Sequence, residues 1–335
     1  MWPRKVAIIY NKPGPQRYAD MGENKAILSV LEGVAAVRQA LTELACEVSA
    51  VPLLPPYDRA KETLQSIDAD LVFNLFEGFD GRPKTEAVVA KMMSDMGITY
   101  TGCASTALAQ ALDKAKAKDI MQAHGINTPR YQLLSPETLA QFELRLPCIV
   151  KPCGEDASHG LNPDSVVYDR AALERQVAGV SRAFGGKALV EEFIDGREFN
   201  ATVMGNDEVT VLPVSEIIYS LPPGMPRILT FEAKWEEGTP YYEGTTVSCP
   251  AQIEDELRDQ LVQTAVAVFR LLVKQGYGRV DMRLDSAGKV QVLEANPNPD
   301  ITPGSGAARQ AAAAGMTYTQ FIDRIVQLAL DRKPS

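Results

Sequence analysis

Near the end of the chain, two acids, an amide and a guanidinium fall into two neighbouring runs of alternating apolar and polar residues. Arg279 and Asp281 lie in the first run, Glu294 and Asn296 at the end of the second. Residues two apart in a strand share a face, so each pair projects to one side. Asp285, Ser286, Ala287 and Gly288 supply the turn between the runs, and a hairpin would gather all four side chains, with Asp281 near the start of its strand. Two carboxylates and an amide oxygen are hard ligands that suit Mg²⁺ and leave part of its shell for phosphates. Arg279 adds a fixed positive charge. The plain alternative is a hairpin whose polar face meets water. Against it stand Pro297, Pro299 and Pro303, which stop a strand from continuing, and Gly304 and Gly306, which permit close backbone approach. A rigid loop directly after a carboxylate strand is a place for a substrate.

Earlier stretches supply groups that could meet a phosphorylated ligand. Ile149-Val150-Lys151-Pro152 ends an apolar run, and residues 153–162, CGEDASHGLN, are small and polar. Backbone N–H groups of such a loop can cradle phosphates, with Lys151 as a point charge at its root. Lys114, Lys116 and Lys118 fall on a helical run at 113–124, which alone reads as a solvated lysine face. Residues 191–198, EEFIDGRE, end an apolar run and alone read as an acidic hairpin. Lys234 lies in 220–246, a stretch rich in Pro, Gly and Tyr; loops that long are usually functional or disordered.

Periodicity outlines the elements that must position these groups. Residues 5–10, 47–53 and 70–75 read as short strands, and 25–44 as a helix with Leu31, Val34, Val37, Leu41 and Leu44 at helical spacing. A helix is expected at 86–96 and a further edge at 97–100. Alternation of this kind predicts a parallel sheet covered by helices over 1–110, with ligands at the carboxyl ends of its strands, at 11–14 and 74–81. No GxGxxG follows the first strand, so a dinucleotide site of that type is not expected. Residues 111–190 form a second unit: a helix stopped by Gly125 and Pro129, strands near 149–152 and 165–168, and a helix at 169–183. Residues 191–335 form a third, with strands at 188–194 leading into it, strands at 199–204 and 209–214, a helix at 254–274, the hairpin, and a closing helix at 318–331.

Composition bounds the function. The 335 residues suffice for two or three domains, and 45% hydrophobic with 23% charged content is that of a soluble globular protein. A net charge of −9 argues against nucleic acid or an anionic membrane surface as the main partner. No apolar run approaches the length of about 18 residues needed to span a bilayer, and the start reads as a strand rather than a secretory signal; a cytoplasmic location is expected. Five scattered cysteines without a CxxC pair and only two histidines supply poorly any disulfide framework, zinc site or Ser-His-Asp triad.

These motifs together resemble the ATP-grasp fold in its D-alanine–D-alanine ligase-like branch: an α/β N-terminal parallel-sheet domain followed by two α+β subdomains that grip ATP. Arg279-x-Asp281, Glu294-x-Asn296 and the Pro-rich loop ending near Ser305 match the family's last segment. The resemblance implies that Asp281, Glu294 and Asn296 hold one or two Mg²⁺, for which Mn²⁺ can substitute. It further implies that Arg279 stabilises the transferring phosphoryl group and that Ser305 binds the second substrate's carboxylate. Lys114 of the Asp-Lys pair, Lys151, and Ser158 in the phosphate-covering loop would contact the nucleotide. Glu191 would face the purine amine, backbone groups of Glu192 and Ile194 the base edge, and Glu198 the ribose. Lys234, in Phe231-Glu232-Ala233-Lys234-Trp235, would reach the γ-phosphate. The match covers nearly all of the chain and is densest from Asp113 onward.

Departures fall at positions where the family holds its substrates or forms its oxyanion hole. The first loop lacks the Gly-Gly-x-Ser-x-Glu pattern, Glu77-Gly78 stands for His-Gly, Ala157 for a substrate-contacting Ser, and Asp300 for a Gly. The implied reaction is ATP-dependent ligation of a carboxylate to an amine, with small-molecule substrates other than two D-alanines. Alternatives are a genuine D-alanine–D-alanine ligase, a small-acid kinase, and a catalytically silent nucleotide-binding regulator; the full set of metal-type residues argues against the last. Dimers are common in the resembling family.

Overall fold

The computed structural model describes residues 2–12, 24–155 and 161–332, and among these the strands gather into three sheets. β1 (Lys5–Asn11), β2 (Glu47–Leu53) and β3 (Leu71–Leu75) form a parallel sheet in the order β2-β1-β3. Val6, Ala7, Ile8 and Ile9 of β1 are all buried, as expected of a strand covered on both faces. The stretch 97–100 adds only an isolated bridge from Tyr100 to Val72, not a further edge strand. Helices Tyr57–Gln65 and Ser105–Leu112 complete this part of the chain beyond what periodicity suggested.

The second sheet is antiparallel. β4 (Tyr131–Leu134), β5 (Cys148–Pro152), β6 (Val166–Val167) and β7 (Ala188–Glu192) lie in the order β4-β7-β5-β6. The helix Arg170–Phe184 packs on it, started by Asp169, whose side chain accepts from Ala172 N–H. Val150, Val190, Leu173 and Val177 form a core of their own here.

The third sheet contains β8 (Glu198–Gly205), β9 (Val209–Val211), β10 (Ser215–Tyr219), β11 (Thr245–Ser248), β12 (Gly276–Leu284) and β13 (Val290–Pro297), ordered β11-β10-β8-β12-β13 with β9 on β8. Pro213 cuts short the strand expected over 209–214, because it cannot donate to a ladder. β12 begins at Gly276, so Asp281 lies past its middle rather than near its start. The glycines there are required by close packing: a Cβ on Gly278 would come within 3.0 Å of Val273 Cγ2. One core runs from Val72 and Phe76 of the first sheet region to Val280, Met282 and Val292 of the third. No helix among the described residues is long and apolar enough to cross a membrane.

The hairpin carries a β-bulge. Asp281 pairs with Glu294 but Met282 pairs with Val292, which leaves Leu293 as the extra residue. In an unbroken strand Val292 and Glu294 would share a face. The bulge changes the phase, so Val292 enters the core while Glu294 turns to the pocket.

Candidate active site

One pocket lies between the second and third sheets, and the carboxylate hairpin forms one end of it. Arg279 closes its planar fork on both oxygens of Asp281, Nε to Oδ1 at 2.6 Å and Nη2 to Oδ2 at 2.7 Å. The Asn296 amide donates to Asp281 Oδ2 at 3.0 Å and to Glu294 Oε1 at 3.1 Å. Lys114, at the start of the helix Lys114–Ala123, stands 3.2 Å from Glu294 Oε2 and donates to the Glu155 carbonyl at 2.6 Å. The three side chains expected to hold metal therefore meet, flanked by two cations. Burial raises Asp281, against the pull of Arg279. Burial also acts to raise Glu294, but Lys114, Lys151 and Arg279 outweigh it and hold that carboxyl well below the usual range. Among the described residues no group of three or more His, Cys, Asp or Glu gathers for a metal. Two carboxylates with an amide are a part set, which suits an ion that completes its shell with water and phosphate, as Mg²⁺ does.

The opposite end is the turn after β7. Glu192 N–H donates to the Arg130 carbonyl at 2.9 Å, and the Ile194 carbonyl accepts from Arg283 Nη1 at 2.7 Å. Among the described residues this leaves an acceptor at 192 and a donor at 194, a pair that could complement an amino group beside a ring nitrogen. Glu198, at the start of β8, is buried and lines the same pocket. Gly196 between them has a structural reason: a Cβ there would sit 1.7 Å from the Leu284 carbonyl oxygen. Because the clash is with backbone, Gly196→Ala is expected to destabilise the protein by about 3 kcal/mol; urea unfolding checks this.

The lysines divide by face. Lys114 and Lys118, four apart on the helix, turn inward, whereas Lys116 is exposed, so the run is not a uniformly solvated face. Lys118 donates to Thr128 Oγ1 at 2.6 Å and stands 3.2 Å from Glu191 Oε1; Lys151 stands 3.0 Å from Glu191 Oε2. Glu191 thus joins two cations in a buried triad, and Lys118 and Glu191 side chains are each 1% exposed. Burial lowers Lys118 to about 8, with Glu191 opposing, while the two lysines overcome burial to hold Glu191 below its ordinary value. Removing one partner of a buried pair is costly, roughly 3 kcal/mol for Lys118→Met at neutral pH. The pH dependence has a definite sign. Above pH 8 the folded protein loses this proton while the unfolded chain keeps it up to its model value of 10.5, so stability rises with pH across that window. Urea unfolding of both proteins at a series of pH values should show wild type gaining on Lys118→Met between those limits.

Lys234 comes from the short helix Phe231–Trp235, capped by Thr230, whose hydroxyl accepts from Ala233 N–H at 3.1 Å. It lines the pocket, and burial, followed by the nearby Arg279, lowers its pKa.

Comparison with known proteins places this geometry. The family described as D-ala D-ala ligase C-terminus matches residues 120–327, more than half of the chain. The D-alanine–D-alanine ligase of Gluconobacter oxydans is 30% identical over 307 residues, 91% of this chain and 95% of that protein. The chain belongs to the D-alanine–D-alanine ligase family. It is also 36% identical to the uncharacterized protein y4sG of Sinorhizobium fredii, over 77% of this chain and 74% of that one. Among solved structures, the D-alanine–D-alanine ligase of Bacillus anthracis complexed with ATP superposes with a TM-score of 0.73 at 21% identity, covering 97% and 96% of the two chains. The VanG D-Ala:D-Ser ligase of Enterococcus faecalis gives 0.73 at 20% identity, covering 97% and 99%. The fold is the ATP-grasp fold, and the family's chemistry is ATP-dependent carbon–nitrogen ligation.

Other residues expected from the family pattern sit less simply. Ser158, Ala157 and Gly160, and the first loop beyond Lys12, lie outside the described residues. Ser305 is the N-cap of the helix Gly306–Ala313, and its hydroxyl donates to the Asp300 carbonyl at 2.8 Å rather than entering the nucleotide pocket. That helix start abuts Arg279, whose Cδ would lie 3.9 Å from a Cβ on Gly306. Asp300 is exposed and accepts from Thr302 N–H at 2.8 Å. The loop is anchored through Asn298, which accepts from Cys103 N–H at 2.7 Å and donates to Glu86 at 2.9 Å. Arg283, Tyr219 and Lys118 were not singled out from sequence as site residues. Arg283 continues the same-face series of Arg279 and Asp281, and Lys118 follows Lys114 by one helical turn, so spacing alone could have found both.

Proposed function

We propose that this family member is an ADP-forming ligase that joins an amino acid or small peptide-like acid to an amine through an acyl phosphate. Supporting this above all is the single amide of Asn296 that joins Asp281 to Glu294 at one end of a pocket whose other end offers a purine-edge acceptor and donor. ATP would lie between the units 111–190 and 191–335, with the substrates toward 1–110. Glu192 C=O and Ile194 N–H hold the base, Glu198 the ribose, and Lys114, Lys151, Lys234 and the Ser158 loop the phosphates. Glu191 acts on the base end through the lysines it joins. Asp281, Glu294 and Asn296 would hold one or two Mg²⁺, replaceable by Mn²⁺, and the metal supplies neutralisation of phosphate charge.

The substrate carboxylate attacks the γ-phosphorus and ADP leaves. Arg279 offsets the charge on the transferring phosphoryl oxygens, since such transfer depends on positioning and charge more than on covalent catalysis. The amine then attacks the acyl carbon, Arg279 stabilises the oxyanion, phosphate departs and the nitrogen sheds a proton. Ser305, at the start of its helix, would hold the second substrate's carboxylate, a role supported by the N–H groups of that helix start. The segments 153–160 and 220–246 exclude water from the acyl phosphate.

Glu77, Ala157 and Asp300, where the family pattern has other residues, favour substrates other than two D-alanines. A second reading, the joining of two D-alanines, is supported by the similarity to the D-alanine–D-alanine ligase of Gluconobacter oxydans. ADP release with ATP and Mg²⁺ against pairs drawn from L- and D-amino acids, dipeptides and small acids separates them. Release that needs one acid and one amine other than D-alanine is expected; dipeptide formation from D-alanine alone favours the second reading, and no release with any pair sinks both.

A further inference from the structure

Arg279 spreads its fork over both oxygens of Asp281, and Arg197 does the same on Glu216, Nε to Oε1 at 2.6 Å and Nη2 to Oε2 at 2.7 Å. Side-on pairing of this kind satisfies donor and acceptor together. Arg283 is built differently. Its Nε, at 3.0 Å, and its Nη2 converge on the single oxygen Oε2 of Glu198, to which Tyr219 also donates its hydroxyl at 2.8 Å. With three donors crowded on Oε2, Oε1 takes no hydrogen bond among the described residues, and the Glu198 side chain lines the pocket.

The same guanidinium reaches two further segments. Nη1 donates to the Ile194 carbonyl at 2.7 Å, and Nη2 also meets the Arg227 carbonyl. Its Cζ lies over the rings of Phe193 and Tyr219, 5.3 and 5.9 Å from their centroids. Arg283 is 3% exposed and Glu198 7%. An apolar side chain at 283 would fill the space, but Oε2 would lose two charged donors and the Ile194 carbonyl its partner. The Tyr219 hydroxyl alone would then hold the carboxylate, which could turn about that single bond.

We propose that Arg283 is a positioning residue that makes this pocket selective for a ribose diol: it holds Glu198 so that Oε1 faces the ligand, in fixed register with the base-binding backbone at Ile194. The proposal rests on the reading that ATP occupies this pocket. Arg283 does its work through Glu198 and touches neither the phosphates nor the reacting atoms.

The test is calorimetric binding of ATP, 2′-deoxy-ATP and 3′-deoxy-ATP to the full chain, without an acid or amine substrate. Wild type is expected to favour ATP over either deoxy analogue by about tenfold, the worth of a hydrogen bond to a charged group. In Arg283→Met, ATP binding should weaken about tenfold and the deoxy analogues much less, so that the preference falls toward one. Arg283→Lys, which keeps the charge without the fork, should recover part of it, and Glu198→Gln should lose it independently. A folded Arg283→Met or Arg283→Lys that weakens all three nucleotides equally and keeps the wild-type preference overturns the proposal. Wild type that binds ATP without favouring it over the deoxy forms also overturns it, while the ATP reading stands. No ATP binding by wild type overturns that reading and the proposal with it.

Discussion

Glu294→Gln should lower the rate of ADP release at saturating substrates by about 10³-fold, while nucleotide binding measured without Mg²⁺ changes little. The substitution keeps shape and an acceptor oxygen but removes the charge that faces Lys114 at 3.2 Å and accepts from Asn296 at 3.1 Å. Its partner carboxylate, Asp281, is already committed by both oxygens to Arg279. The hairpin then presents one carboxylate to the pocket instead of two, and the site loses the charge that a hard divalent ion requires. The groups proposed to hold the base and ribose lie at the other end and are untouched. Single-turnover ADP release with a Mg²⁺ titration measures the effect. Retention of turnover within tenfold of wild type would remove Glu294 from the reaction.

Arg279→Lys is expected to reduce kcat by about 10²- to 10³-fold with a small change in the KM for ATP. A lysine keeps the positive charge, so a loss of this size would come from geometry. The guanidinium is planar and holds both oxygens of Asp281 at 2.6 and 2.7 Å; an ammonium can place one hydrogen bond there and leaves the carboxylate free to turn. On the proposed mechanism the same group would face the oxygens whose charge changes during phosphoryl transfer and carbonyl addition, and removing one such contact commonly costs this much. Steady-state kinetics with the amine and acid varied separately check it. A rise in KM for ATP with unchanged kcat would instead make Arg279 a ground-state binding residue.

Much of this site can be read from spacing, and the exceptions have physical reasons. The two strands of the hairpin and its turn follow from alternation, but the bulge does not show in the run Val290 to Glu294 alone. It becomes visible only when buried Ala295 is added, because the apolar spacing goes from two to three. The inward lysines were masked by composition: Lys114, Lys116 and Lys118 look like one charged face until the helical period separates 116 from the other two. β10 and β11 were missed because they flank a Pro- and Gly-rich stretch whose local signals are those of a loop, while their pairing is with β8 and with each other. Pairing partners far away in sequence leave no local trace. Arg283 is the same kind of case, since nothing near it in sequence announces Glu198, Ile194 and the Arg227 carbonyl as its partners.

The anchoring of the 297–305 loop has a consequence for how such an enzyme can change its diet. Asn298 fixes that loop to Cys103 and Glu86, and a Cβ on Gly102 would strike Asn298 Oδ1 at 2.5 Å. One wall of the proposed substrate site is therefore held by Glu86 and Cys103, whereas the carboxylates proposed for phosphoryl transfer stand on β12 and β13. A substitution at Glu86 would loosen the anchor of the loop at a distance from the side chains proposed to meet the phosphates, whereas one at Gly102 would also press on β12, because a Cβ on Gly276 would lie 2.8 Å from the Gly102 carbonyl oxygen. On the proposed reading, Glu86 is therefore a lever on selectivity that stands apart from the carboxylates of β12 and β13.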